Sequence, residues 1–562
     1  MRPNATLKAA LIGAALAVAG PALAQPTTAT LSGIISANRT LDAGQVYLLD
    51  GEVYVESGVT LTIPAGTRIK GKQNPTSGVG ASVLVIQRGG RLVADGTAAS
   101  PVIFTAEADD LGNAFDTNES TRGLWGGVIV LGRATNNRGV RNIEGIPVSA
   151  RTAYGCGDAG FPCDDNDSSG SLQYVSIRHA GFTLEANAEI NGLTLGGVGR
   201  GTLLDYIEVF ANSDDSFEFF GGTVNASHLV GVFGGDDDLD WDTGYLGRIQ
   251  YVFSIKDESG DVGRCIEGDG SATPFTAAGQ SSPILSNLTC IGSGVGSSPS
   301  GDDDGGPSIL LRENTGGFLY NSVFTAVDNA RGAVDLEVRD PATVSTRQNF
   351  DEGELDIRNN LFFDFSAGND AAGIVNGTDA ALEAAIAARN QIVAPGLRSI
   401  SREQNLGLDP RPGFGAPAAS GADFSYAPLQ SSFFDVVTYR GAFALNETPW
   451  AAGWTALSQM QYFPANFVAA EAGPLAAAGF RVAATPNPAM AGRASLTVEL
   501  PETAEVRLAV YDVLGREVAV VADRALAAGS QTFALGALPA GVYVARLTTA
   551  QGMTAVQFTV VR

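Results

Sequence analysis

Residues 207–222 read IEVFANSDDSFEFFGG and residues 229–244 read LVGVFGGDDDLDWDTG, and the two superimpose at an offset of 22 residues. Asp214 falls on Asp236, Asp215 on Asp237, Phe217 on Leu239, Glu218 on Asp240, Phe219 on Trp241 and Gly222 on Gly244. So dense a set of carboxylates suits three kinds of chemistry. It can collect a hard cation such as calcium, which takes several oxygen ligands. The ligands expected are Asp214, Asp215, Glu218, Asp236, Asp238, Asp240 and Asp242. It can supply an acid and a base for glycoside cleavage, with Glu218 and Asp240 the foremost pair. Or it can simply be solvated surface that keeps the protein soluble. The spacing is not that of an EF-hand loop.

A lyase would add a basic side chain beside a cation. Lys256, Arg248 and Arg264 are nearest in sequence, and Arg178-His179 is a further possibility. Aligning Tyr174 with Tyr206 puts His179 at the level of Ala211, one turn from the acidic repeat. His179 thereby joins Glu218 and Asp240 as a catalytic candidate, although a lone His is more often structural. His228 has no evident partner in the sequence. Trp125, Trp241, Trp450 and Trp454 are candidate sugar-stacking rings, with Trp241 better read as core. No Gly-x-Ser-x-Gly elbow, phosphate-cradling loop or dinucleotide fingerprint occurs.

The elements that must position these residues are short strands. Val59–Ile63, Ser82–Ile86, Val102–Thr105, Gly127–Leu131 and Tyr174–Ile177 are β-rich runs separated by Gly, Asn and Asp. Only residues 380–389 read as a helix. A 22-residue period is about one turn of a parallel β-helix, which grows by stacking and so accommodates a long body. In such turns alternate side chains point to opposite faces. Phe217, Phe219, Leu239 and Trp241 are then expected inside, and Ser216, Glu218, Asp238 and Asp240 outside. Turns are about 4.8 Å apart, so Glu218 would lie over Asp240 and Asp214 over Asp236. Asn287, Asn321 and Asn359-Asn360 each open a strand, and stacked Asn can hydrogen-bond along a solenoid corner.

The N-terminus reads as a secretory leader. Arg2 and Lys8 precede an apolar core, and Ala22-Leu23-Ala24 offers a small-x-small cleavage site before Gln25. Removing residues 1–24 takes two positive charges and moves the formal charge from −25 to −27. That balance argues against nucleic acid and against anionic lipid. No later run is long and apolar enough for a membrane helix. The four cysteines suit two disulfides in an oxidising compartment, and local pairing gives Cys156 with Cys163 and Cys265 with Cys290. Residues 25–465 form the body with a C-terminal cap, 466–485 a linker rich in Ala and Gly, and 486–562 a separate domain.

That last domain carries Pro486-Asn487-Pro488, then VYDVLGRE with Tyr511, Asp512, Gly515 and Arg516, then LPAGVY with Gly541 and Tyr543, and finally Arg562. These motifs in this order resemble the C-terminal sorting domain of type IX secretion cargo of Bacteroidetes-like bacteria. The resemblance implies export by that machinery to the cell surface or the medium. Alternation in the same stretch predicts a small Ig-like β-sandwich with Leu508, Val510, Val542 and Val544 facing its core. The body's LTIPAGTRIKG, RGLWGGVIVLGRA and DYIEVFANSDDSFEFFGGTV resemble secreted bacterial β-helix proteins. The resemblance implies an all-β, right-handed, pectate-lyase-like solenoid at the cell surface, and no set activity. Asn212-Ser213-Asp214-Asp215 is faintly similar to the Asp pair of polygalacturonase-like hydrolases, but the Gly-His-Gly and Arg-x-Lys elements expected with it are missing. The leading expectation is a non-catalytic surface protein for adhesion or glycan binding, with calcium bound. A lyase or hydrolase acting on an acidic polysaccharide is the alternative.

Overall fold

The computed structural model describes all residues except 1–27, 77–79, 184–189, 272–273, 301–307, 330, 340–343, 466, 468–479, 486–488, 491, 513–515, 537, 550–551 and 562. The leader and the motif residues Pro486, Asn487, Pro488, Gly515 and Arg562 therefore lie outside the described residues. Among the described residues no helix is long and apolar enough to cross a membrane.

The body is a right-handed parallel β-helix whose strands join in one 25-stranded parallel sheet. Three ladders run along it. The first passes through Thr60–Pro64, Arg91–Asp95 and the first half of Gly170–Arg178. The second passes through the latter halves of Gly170–Arg178, Leu203–Phe210, Ala226–Val232 and Arg248–Ile255. The third passes through Val83–Ile86, Val128–Leu131, Leu193–Gly196, Phe217–Phe220 and Leu239–Asp242. Phe217, Phe219, Leu239 and Trp241 are buried in the central core, as the alternation requires. Each such side chain contributes about 1.5–3 kcal/mol of burial free energy.

The corner between the first and second ladders shows how sequence makes the bend. Tyr174, Tyr206, His228, Tyr251, Asn287, Asn321 and Asn359 occupy equivalent positions, and all have left-handed φ angles of 47° to 62°. Asn tolerates that conformation best. In the aromatic half, ring stacking stabilises it instead, at 4.4 Å for Tyr174–Tyr206 and 4.1 Å for Tyr206–His228. In the Asn half, Asn359 Nδ2 donates to Asn321 Oδ1 at 2.8 Å, and Ser322 N donates to Asn360 Oδ1 at 2.8 Å.

The segment that follows the β-helix does more than close its end. It runs back along this corner as a strap, with Asn359 Nδ2 on Gly421 O at 2.8 Å, Asn287 Nδ2 on Tyr439 O at 3.0 Å, and Trp454 edge-on to Tyr174 at 5.6 Å. Its Phe443, Leu457 and Tyr462 cover Phe210, Val232 and Phe253 on the outer face of the second ladder. Ala380–Arg389 is helical, capped by Asp379, and Thr346–Glu352 is a second helix that the sequence pattern does not reveal.

The C-terminal domain has a three-stranded and a five-stranded sheet around its own core. Arg481–Thr485 pairs with Ser495–Leu500, and Phe480 is buried in that core, so the domain takes in residues assigned to the linker. Leu508 and Val510 face inward as expected. In Gly541–Thr549 the inward set is Tyr543, Ala545 and Leu547 rather than Val542 and Val544, because a shift of one residue exchanges the two faces of a strand.

Candidate functional site

One outward column of the third ladder runs Val85, Ile129, Thr194, Glu218, Asp240. It begins apolar and ends acidic. The apolar part is covered by an insertion whose Ile143, Ile146 and Tyr154 pack on Val83, Val85, Ile129 and Leu131. Cys156–Cys163 ties the far part of that insertion, with Cα atoms 4.8 Å apart, and Arg88 pairs with Asp158 at 2.7 Å. The acidic part starts where this cover ends. The carboxylates at this point are nonetheless largely buried: Glu218 is 6% exposed and the nearby Asp215 7%.

Two groups of carboxylates converge there, Asp214–Asp215–Asp236 and Asp215–Glu218–Asp240, each with oxygens within 4.8 Å of one another. Glu218 pairs in register with Asp240, as the repeat requires. Burial pushes the carboxyls of Asp215, Glu218 and Asp240 well above the usual range. Neighbouring carboxylates push the same way: Asp240 acts on Asp215, Glu144 on Glu218, and Glu267 on Asp240. Asp215 Oδ1 accepts from Asp237 N at 2.9 Å. Asp240 Oδ1 is buried and has no hydrogen-bond partner among the described residues. Asn191 is 1% exposed, its Nδ2 donates to Glu218 Oε2, and its Oδ1 is likewise buried without a partner. Buried polar atoms left unpaired are uncommon and ask for a ligand, an ion or water. The donor set of carboxylate and amide oxygens suits calcium.

The other predicted residues are placed differently. Asp238 does not join the outer face. It is fully buried and points into the prism, with Ser216 Oγ at 2.9 Å and Lys256 Nζ at 3.1 Å, and with Ser254 Oγ also donating to it. The chain bends just before Leu239, so the strand's alternation does not extend back to Asp238 and Ser216. Asp237 pairs with Arg264 at 3.2 Å. Asp242 lies beside the cluster, its carboxyl pushed up to about 6 by burial.

His179 is fully buried at a corner, with Nδ1 2.6 Å from Thr121 O. Burial lowers its pKa, and its ring contacts, Thr121 O and the Phe210 ring, lie outside the carboxylate cluster of Glu218 and Asp240. Arg178 is locked to Ser176 Oγ and Gln459 Oε1, each at 2.8 Å. Arg248 lies on the first ladder, away from the acidic column. Trp125, Trp241 and Trp454 are buried, and Trp450 donates to Ala442 O at 2.7 Å. His228 does have a partner, Asp205 Oδ1 at 2.8 Å. Cys265 and Cys290 are bonded across the core, with Cα atoms 5.9 Å apart.

Asn191, Glu144, Glu267 and Asp269 were missed. Continuing the register from Leu239–Ile266 places Glu267 and Asp269 after Asp240 and Asp242. The signal was the alternation of Ile266-Glu267-Gly268-Asp269, hidden because this step is 27 residues rather than 22. Continuing the register back from Leu193–Phe217 puts Asn191 at the place of Asp215 one turn earlier, a step of 24 rather than 22, whereas Glu144 comes from the insertion.

A family model for the pectate-lyase-like β-helix domain matches residues 33–394, and one for the secretion system C-terminal sorting domain matches residues 484–562. A search of curated proteins found no match to this chain. The sorting domain directs the protein through the type IX secretion machinery to the cell surface or the medium. With three parallel ladders in the body and a matching model over well more than half of the chain, the protein belongs to the pectate-lyase-like β-helix family.

Proposed function

We propose that this is a non-catalytic β-helix displayed at the cell surface, serving adhesion or glycan binding, with a calcium ion held by Asp215, Glu218 and Asp240. The leader before Gln25 would take it to the periplasm, and the sorting domain onward. The observation that carries the reading is how the charges along the third ladder are used. The three carboxylates converge without an ion pair among the described residues, beside the unpaired oxygen of Asn191. Of the three cations nearest in sequence, two are already paired and the third, Arg248, lies on the first ladder, away from the acidic column. Lys256 neutralises Asp238 inside the core, and Arg264 bridges Asp237 and Glu267. A ligand set buried to this degree fits a structural ion better than a group that must reach a polymer backbone.

The second reading, a hydrolase or lyase, draws on one observation: Glu218 and Asp240 are adjacent, and their raised carboxyls favour a protonated acid. Their oxygens lie within 4.8 Å, closer than the carboxyl spacing of inverting glycosidases, about 6.5–9.5 Å. The test is calcium titration of the full chain by calorimetry, together with a polysaccharide panel assayed for reducing or unsaturated ends. Calcium binding with no product is expected. Product formation overturns the non-catalytic reading, and absence of calcium binding overturns the ion.

A further inference from the structure

Lys256 and Asp238 face each other inside the prism, Nζ to Oδ2 at 3.1 Å, with side chains 3% and 0% exposed. Lys256 follows Arg248–Ile255 on the second ladder, and Asp238 precedes Leu239–Asp242 on the third, one turn earlier. We propose that this pair condenses after folding to an amide between Lys256 Nζ and Asp238 Cγ, a covalent tie between two successive turns.

The choice of residue is the first pointer. Of the 35 lysines and arginines in the chain, only Lys8, Lys70, Lys72 and Lys256 are lysine. Arginine is the better partner for a lasting buried ion pair, because its planar fork matches a carboxylate and its charge is more weakly hydrated. Lysine alone brings an amine that can act as a nucleophile. Two buried charges are costly to desolvate, and a neutral amide removes both.

The groups around the pair suit the reaction. Ser216 Oγ donates to Asp238 Oδ1 at 2.9 Å, and Ser254 Oγ donates to Oδ2. Lys256 Nζ also donates to Asp236 O at 2.6 Å, which holds the amine against the carboxyl. Such fixed contact supplies much of the entropy that a reaction in solution must pay. The ammonium passes one proton to Oδ2, and the freed lone pair of Nζ adds to Cγ. Ser216 Oγ stabilises the charge that develops on Oδ1. A second proton moves from Nζ to Oδ2 through the Ser254 hydroxyl, the Cγ–Oδ2 bond breaks, and one water leaves. No oxidant, reductant or further reactant enters. A cavity of about 10 Å³ lies against Lys256 and Ser254, lined also by Arg264, Ser293 and Ser308. It has the room and the polar partners for that single water.

The same corner carries a covalent tie one turn further on. Continuing the register back from Leu239–Ile266 places Cys265 at the position of Asp238, and Cys290 pairs with Ser254. The disulfide Cys265–Cys290 thus joins the positions that Asp238 and Ser254 hold in the preceding turn. Amide and disulfide together link three consecutive turns beside the acidic column.

The test is mass spectrometry of the full chain, reduced and unfolded, before and after trypsin. It is run on the unaltered protein and on Lys256→Arg, which keeps the positive charge but has no amine to condense. Expected are an intact mass one water below that of the sequence and a tryptic product in which residues 201–248 are joined to residues 249–264. Both are expected to be absent from Lys256→Arg. An intact mass equal to that of the sequence overturns the proposal. So does a lost water without the joined product, which is the mark of an aspartyl succinimide instead. The joined product is read from the unaltered protein alone, so the result decides even where the variant fails to fold.

Discussion

Asp240→Asn should reverse its effect on stability when calcium is added. The oxygens of Asp215, Glu218 and Asp240 lie within 4.8 Å of one another. Two ionised carboxylates at that distance repel by about 3.5 kcal/mol at an effective dielectric near 20. Full ionisation of the three would thus cost about 10 kcal/mol, and removing Asp240 deletes two of the three pairs. Protonation relieves much of this, so the net gain expected from the variant near pH 8 in chelator is about 2 kcal/mol.

The sign of the pH dependence follows from the raised folded-state pKa values. In the unfolded chain these groups titrate near pH 4. Their contribution is fully present below that pH and is lost as pH rises through the folded values. In chelator the unaltered protein should therefore be less stable near pH 8 than near pH 5. Calcium at about a hundred times its dissociation constant would restore about 2.7 kcal/mol to the unaltered chain and little to the variant. The assay is urea unfolding of the full chain at both pH values, with calcium or chelator, followed by tryptophan fluorescence. The reasoning is refuted if the variant is less stable than the parent in chelator at pH 8, or if calcium stabilises both equally.

Two further outcomes can be checked on the same samples. Lys256→Met strands the fully buried Asp238 carboxylate and should cost about 3–5 kcal/mol, whereas adding Asp238→Leu should recover most of the loss; both are read from urea midpoints. Replacing Cys265 and Cys290 by Ala opens a loop with a sequence separation of 25 and should cost about 3 kcal/mol, measured as a lower melting midpoint under non-reducing conditions.

Some of this was legible in the residues because it depends on local periodicity. The pairing of Glu218 over Asp240, the inward Phe217 and Trp241, and the Asn corners all follow from alternation within strands and the offset of 22 between turns. Asp238 was misplaced because alternation holds only while a strand continues, and the chain turns just before Leu239. The burial of Glu218 was not visible either. It goes with an upstream insertion, residues 143–154, whose side chains cover the apolar start of the same column.

The sequence by itself determined the class of fold, the phase of most strands and the destination of the protein. Each of these rests on short-range pattern or on a contiguous motif. Only the tertiary structure decided which carboxylates meet and which are neutralised. Asp215, Glu218 and Asp240 are brought together with Asn191, while Lys256 is drawn inside to Asp238. Those outcomes depend on how corners, insertion and strap pack around the ladders. Burial and charge compensation are properties of neighbours in space, which no spacing along the chain records.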